Sequence, residues 1–300
     1  METLPPSVQR LLAQQDYRKR IDKVTGHIRA HLAEPLSLHV LAELAGFSPF
    51  HFHRLFAAFV GETLGEYVRR LRLQRAYQLL LLTRRTVTDI ALESGYETPA
   101  AFTRAFQQAF HLSPSALRRQ GRLAGAAALA ASPRNTLWRY PMEPEIRTYP
   151  DRTIIFVSSY GMVDRNFNKA ARRSFEILSG FLNQQRAWHK VDTCLGICPD
   201  GDDVAWEKAR YDGAYFLKPG QEIAPQGEIQ TAIVPGGRFA VFLHHGVYDT
   251  LWQTWNAIYR DWLPGSGYQL RDVQPYEVYV DDPARVPPDK RTTEIHIPIV

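Results

Sequence analysis

The sequence predicts a multidomain protein in which an all-α half precedes an α+β half. Three observations predict it. Up to about residue 120, apolar residues recur at three- and four-residue spacing with no β-branched alternation. Beyond about residue 141 the texture changes to short runs rich in Ile, Val, Phe and Tyr, with two amphipathic helical stretches between them. The junction, GRLAGAAALAASPRNTLWRYP, is Ala/Gly-rich and punctuated by proline, which reads as a linker. The expected domains are 1–121 and 142–300, with 122–141 joining them.

At 300 residues and 45% hydrophobic content, the chain can build two packed cores. No apolar run reaches the roughly 18 residues that span a bilayer. The N-terminal METLPPSVQRLLAQQDYRKR has no apolar core of the signal-peptide kind, so a cytoplasmic location without membrane contact is expected. Cys194 and Cys198 lie in an apolar stretch. Their C-x3-C spacing, with no His cluster nearby, favours two buried thiols over a disulfide or a metal pair.

Charge is divided unevenly. Residues 1–140 hold 19 Lys+Arg against 10 Asp+Glu, whereas residues 141–300 hold 17 against 21. The excess is nearly all arginine, since Lys19 and Lys23 are the only lysines before Lys169. A basic half suits a polyanion, because each neutralised phosphate releases condensed counterions. Arginine also suits bidentate contacts to phosphate and guanine. The alternative is a solvated surface that happens to be basic.

The helical half repeats itself. Ala42, Gly46 and Phe47 recur as Ala91, Gly95 and Tyr96, and Phe52, Arg54 and Phe56 recur as Phe102, Arg104 and Phe106. Each copy reads as a helix-turn-helix. Ser37 caps a helix carrying Leu38, Leu41, Ala42 and Leu44 inward, and Ala42 is small where a second helix must cross closely. Gly46 makes the turn, Ser48 caps the next helix and Pro49 takes its first position. Phe52, Leu55, Phe56 and Phe59 face inward, leaving Phe50, His51, His53 and Arg54 on or near the outer face. In the second copy Thr86 caps, Gly95 turns, Thr98 caps and Pro99 starts a helix anchored by Phe102, Phe106 and Phe110. A long helix from Leu64 to Leu82, carrying Arg69, Arg70, Arg72 and Arg75, joins the copies.

Two such motifs in register, including GYETPAAFTRAFQQAFHLSPSALRR, resemble the AraC/XylS family of transcription factors over about residues 17–121. The resemblance implies two recognition helices entering successive major-groove segments about 34 Å apart. It makes Phe50, His53 and Arg54 base readers: Arg54 for guanine, Phe50 for a thymine methyl. Phe50 in the core and His53 merely solvated are the alternative, and His51 either touches phosphate or has no role. In the second helix Pro99, Ala100 and Ala101 stand where relatives carry polar readers, leaving Thr103 and Arg104. That motif is expected to contact mainly phosphates.

The second half is an approximate duplication. RTIIFVSSYGMVD and RFAVFLHHGVYD each precede an amphipathic helix, Phe167–Leu182 and Leu251–Leu263, and two strands follow each helix. The unit is β-α-β-β, repeated to give two helices on one antiparallel sheet. GGRFAVFLHHGVYDTLWQTWNAIYRDWLPGSGYQLRD, PYEVYVDDP, RTTEIHIPIV and the upstream WEKARYDGAYFL resemble the GyrI-like effector domains over about residues 142–300. That resemblance implies a cleft between the repeats that takes amphipathic, often cationic or aromatic, molecules, with an acidic residue as counter-charge.

Glu277, between Tyr276 and Val278 with Tyr279 beyond, is the candidate acid, because a carboxylate on an apolar strand is costly without a partner. The alternative is that it points to water. Trp206, Tyr160, Trp252 and Trp255 are candidate walls, although the helical spacing of Trp252 and Trp255 favours core packing. His244 and His245 are adjacent strand residues and face opposite ways, which argues against a shared metal. With no Ser/His/Asp order, metal box or phosphate loop, neither catalysis nor a cofactor is expected. A GyrI-like hydrolase using Glu277 and Trp206, or a protein-inhibiting module, is the competing reading. The expected partners are double-stranded DNA at promoter sites, a small-molecule effector and RNA polymerase.

Overall fold

The computed structural model describes residues 6–120, 143–162, 167–199 and 208–300. The expected linker, 122–141, and Trp206 lie outside the described residues. Contacts divide the described residues into two compact units, one of 15–120 and one of 143–300 with 6–14.

The helical unit contains α1 (Pro6–Ala30) from Gln15 onward, α2 (Leu38–Ala45), α3 (Pro49–Val60), α4 (Leu64–Leu82), α5 (Val87–Glu93), α6 (Pro99–Phe110) and α7 (Pro114–Gln120). It has two cores. Ile21, Val24 and Ile28 of α1 pack with Leu41, Ala42, Phe52 and Phe56; Ile90 and Ala91 pack with Phe102, Phe106 and Phe110. Helix α4 serves both, giving Leu64 and Tyr67 to the first and Leu73, Ala76 and Leu80 to the second. Ala42 and Ala91 are completely buried, as close helix crossing requires. Gly46 and Gly95 both have positive φ, 68° and 78°, in the turn of each motif.

The caps differ from the expectation in one copy. Thr86 and Thr98 accept from backbone N–H groups of Asp89 and Ala101, whereas Ser37 and Ser48 occupy the cap positions without a side-chain cap bond. Ser48 and Ser37 are therefore caps by backbone conformation alone.

The second unit comprises β1 (Glu145–Tyr149), β2 (Arg152–Tyr160), α8 (Asn168–Gln184), β3 (Val191–Ile197), β4 (Arg210–Leu217), β5 (Gln230–Val234), β6 (Gly237–His245), α9 (Leu251–Ala257), β7 (Tyr276–Tyr279) and β8 (Thr292–Pro298). The strands form one antiparallel sheet in the order β1-β6-β8-β7-β3-β4-β2-β5. The two β-α-β-β repeats are β2-α8-β3-β4 and β6-α9-β7-β8, and they meet where β7 pairs with β3. Each edge strand crosses to the other repeat: β1 precedes β2 but pairs with β6, and β5 precedes β6 but pairs with β2. The edges β1 and β5 escape the sequence pattern because their residues are mostly exposed or half-buried. After Ala257 the second helix widens into a π-helical segment, Ile258–Trp262, so the expected stretch to Leu263 is α-helical only in its first half.

Candidate nucleic-acid interface and ligand site

On α3 the apolar line Phe52, Leu55, Phe56 sets the inner direction, and at 100° per residue Phe50 and Arg54 fall opposite it. His51 and His53 lie on the flanks. The structure corrects their expected outer placement: they are 1% and 5% exposed. His53 Nδ1 lies 3.3 Å from the carbonyl oxygen of Pro49, one turn back. Burial, reinforced by the Arg54 charge, pushes its pKa down to about 3. Its ring is neutral and turned to its own helix. Phe50 and Arg54 are half-buried. On α6, Arg104 is exposed, and Thr103 Oγ1 donates to the carbonyl of Pro99 at 2.8 Å.

Much of the arginine on α4 builds the fold. Arg70 forms a forked ion pair with Glu62, at 3.1 Å through Nε and 2.5 Å through Nη2. Arg72 donates to the carbonyls of Leu32 and Glu34 at 2.9 and 3.1 Å, tying down the chain after α1. Arg75 and Arg85 both pair with Glu93. The basic excess therefore overstates the charge offered to a polyanion.

In the sheet unit, side chains alternate between the face that carries α8 and the face that does not. Glu277 and Tyr279 of β7 point to the helix side, as do Tyr211 and Tyr215 of β4. Trp255 Nε1, from α9, donates to Glu277 Oε1 at 2.7 Å, and the Tyr279 hydroxyl donates to Oε2 at 2.9 Å. Tyr211 completes the chain, its hydroxyl 2.9 Å from that of Tyr279. Burial pushes both phenols well above the ordinary phenol range, so both stay protonated and able to donate. The rings of Phe175 and Tyr248 meet Tyr279 edge-on, with centroids 6.2 and 5.4 Å away.

Two glycines make this arrangement possible. A Cβ on Gly196 would fall inside van der Waals contact of the Tyr279 and Tyr211 hydroxyls. A Cβ on Gly213 would meet Ser174 at 2.6 Å, so its absence lets α8 approach the sheet. Asn168 Nδ2 donates to Asp249 Oδ1 at 2.9 Å, drawing together the chain at the start of α8 and the turn leading into α9. The result is a carboxylate between the two helices, ringed by aromatic groups and held by two donors.

The family described as GyrI-like small molecule binding domain matches residues 142–300, more than half of the chain. The chain belongs to the GyrI-like family. A helix-turn-helix domain of AraC type precedes it, matched over residues 41–120. The chain is 26% identical over 268 residues to "Transcriptional regulator Rob" of Salmonella typhimurium, covering 84% of this chain and 87% of that protein. It is 39% identical over 102 residues to "Uncharacterized HTH-type transcriptional regulator YbfP" of Bacillus subtilis, covering 34% of this chain and 35% of that protein. A solved AraC-type regulator from Chromobacterium violaceum is 29% identical, covers 34% of this chain and 91% of that one, and has a TM-score of 0.33. This GyrI-like chain is a DNA-binding transcription regulator.

Of the residues expected around the GyrI-like site, Glu277, Tyr279 and Trp255 are brought together. Trp255 is 5% exposed and is both a core residue and a donor to the carboxylate. Trp252 is 43% exposed, against the expectation of core packing, because α9 turns that side outward. Tyr160 is corrected: it is 63% exposed and, one residue after the helix-side Ser159, points to the other face of the sheet. Sequence reasoning missed Tyr211, Phe175, Tyr248 and Gly196. The alternation Tyr211, Gly213, Tyr215 in RYDGAYFL carried a signal for the first.

His244 is buried, with Nδ1 2.8 Å from Thr254 Oγ1, while His245 is exposed. No group of three potential ligands gathers among the described residues. Cys194 and Cys198 form no disulfide among the described residues and are half-buried, where buried thiols were expected, and burial pushes the Cys194 thiol up to about 11. No helix among the described residues is long and apolar enough to cross a membrane.

Proposed function

We propose that this regulator is controlled by a flat aromatic cation bound between α8 and α9, with Glu277 as its counter-charge. The observation that carries the reading is the Glu277 carboxylate, held by Trp255 and Tyr279 in an aromatic setting. The two donors, an indole N–H and a phenol O–H, fix its direction and add no positive charge of their own. Phenol and indole faces nearby favour the same ligand by stacking and cation–π attraction. Trp252, half-exposed on α9, extends the aromatic surface outward. The reading assigns Glu277 to binding and leaves it without a catalytic role.

In the same proposal the DNA-binding domain is residues 1–121, the effector domain 142–300, and 122–141 joins them. Phe50 and Arg54 read bases, Arg104 and Thr103 engage mainly phosphate, and promoter-bound regulator contacts RNA polymerase in the cytoplasm. Thermal denaturation of the full chain with cationic, neutral and anionic aromatic probes of similar shape tests the effector reading. The cation alone should stabilise, by about 2.7 kcal/mol at 100 times its Kd. Equal stabilisation by all three, or by the anion, overturns it.

A further inference from the structure

The sheet's other face carries a cavity. Its volume is about 160 Å³, close to that of an apolar protein cavity known to accept benzene. Ile154, Phe156, Ile197, Val234 and Tyr276 supply its apolar walls. Three central strands serve both faces: Glu277, Tyr211 and Gly196 stand on the helix side, and their neighbours Tyr276, Asp212 and Ile197 line the cavity.

Its polar groups define the chemistry. Asp212 accepts from Arg210 Nε and Nη2 at 2.8 and 2.9 Å and from Ser158 Oγ at 2.7 Å. The two charges cancel, so the lining gives neither a cation nor an anion an advantage. Gln274 donates through Nε2 to the carbonyl of Cys198 at 2.8 Å, but its Oε1 is buried with no hydrogen-bond partner among the described residues. A buried acceptor of this kind is costly unless a donor meets it.

We propose that this cavity is a second small-molecule site, for a neutral single-ring aromatic carrying one hydrogen-bond donor directed at Gln274 Oε1. The ring fills the apolar volume between Phe156, Val234 and Tyr276, and the donor satisfies the amide oxygen. The site stands whether or not Glu277 binds a cation. Through β7, β3 and β4 it lies back to back with the Glu277 cluster, so both ligands can be held at once.

Phenol and toluene are the probes, titrated into full-length protein carrying ¹³C-labelled isoleucine methyl groups. Ile154 and Ile197 report on the cavity, and Ile295, paired with Glu277, reports on the opposite face. Phenol should shift Ile154 and Ile197 saturably, leave Ile295 unmoved, and bind about 2- to 12-fold tighter than toluene, the range for one net hydrogen bond. Gln274→Leu should erase that preference, and Ala232→Phe, placed on the exposed edge strand beside Ile154, should abolish saturation. The methyl spectrum shows directly whether each variant is folded. Shifts at Ile295 in place of Ile154, no saturable shift, or unchanged binding by a folded Ala232→Phe overturns the proposal.

Discussion

Trp255 and Glu277 are joined by a 2.7 Å hydrogen bond that ties helix α9 to strand β7. With Tyr279 on the second oxygen, the carboxylate is oriented from both sides. Such preorganisation lowers the ordering cost of binding.

Glu277→Gln should separate charge from shape. A glutamine can keep Trp255 on its oxygen, and the Tyr279 hydroxyl can rotate to accept from the new amide while donating to Tyr211. Stability should therefore change by less than about 1 kcal/mol, within the range of one net hydrogen bond. A quaternary aromatic cation should lose roughly 1–4 kcal/mol of binding, the attraction of unit charges about 4 Å apart near a protein surface, and a neutral analogue much less. Calorimetry against both ligands checks this. Equal losses would return Glu277 to a purely structural role.

Gly196→Ala should damage the site more than the fold. The new methyl must displace the Tyr211 and Tyr279 hydroxyls, and overpacking of this kind costs about 1–3 kcal/mol. The hydrogen-bond chain to Glu277 breaks at its start, so cation binding should fall further than the melting temperature implies. A variant that binds the cation as wild type does would show that the tyrosine pair is not part of the site.

The repeats were legible because each leaves a local mark: Ala42 and Ala91 at a crossing, Gly46 and Gly95 in a turn, phenylalanines one helical turn apart. Glu277 was legible because a lone acid interrupts an apolar strand. Its partners were not. Trp255 reaches it from another element, and Tyr211 reaches it only because Gly196 on a third strand leaves room. His51 and His53 were misplaced because helical periodicity puts them on flanks, where packing by the rest of the structure decides exposure. The arginines of α4 were read as surface charge because nothing local marks Glu62 or the Leu32 carbonyl as their partners.

His53 predicts a pH dependence of the helical unit. Its pKa is about 3 in the fold, against 6.5 ordinarily, chiefly through burial. The unfolded chain therefore binds a proton between those values that the folded chain refuses, and stability falls as pH falls through 6.5 toward 3. At pH 5 the loss attributable to this residue should be roughly 2 kcal/mol. His53→Gln should flatten that part of the profile. Denaturant titrations of both proteins at about pH 7.5 and pH 5 make the comparison. Equal losses in the two proteins would assign the acid sensitivity elsewhere.

Arg54 and Arg104 stand at matching places in the two motifs, and their surroundings predict different losses. Arg54 shares the outer line of α3 with Phe50, both half-buried. Arg104 is exposed on α6, beside alanines and a Thr103 hydroxyl already donating to its own helix. Arg54→Ala should relax the preference at one base pair, costing about 1–3 kcal/mol on the preferred sequence and less on others. Arg104→Ala should weaken all sequences alike and make the salt slope shallower by about 1. For wild type the slope of log K against log salt should be near −5 if about six phosphates are contacted. Arg70, Arg72 and Arg75 of α4 already have protein partners, so a much steeper slope would mean that those pairs open on DNA. Selection of preferred sites by each variant decides the ranking. If Arg104→Ala erases a half-site and Arg54→Ala leaves the preferred sequence intact, the second helix is the reader and the first is the anchor.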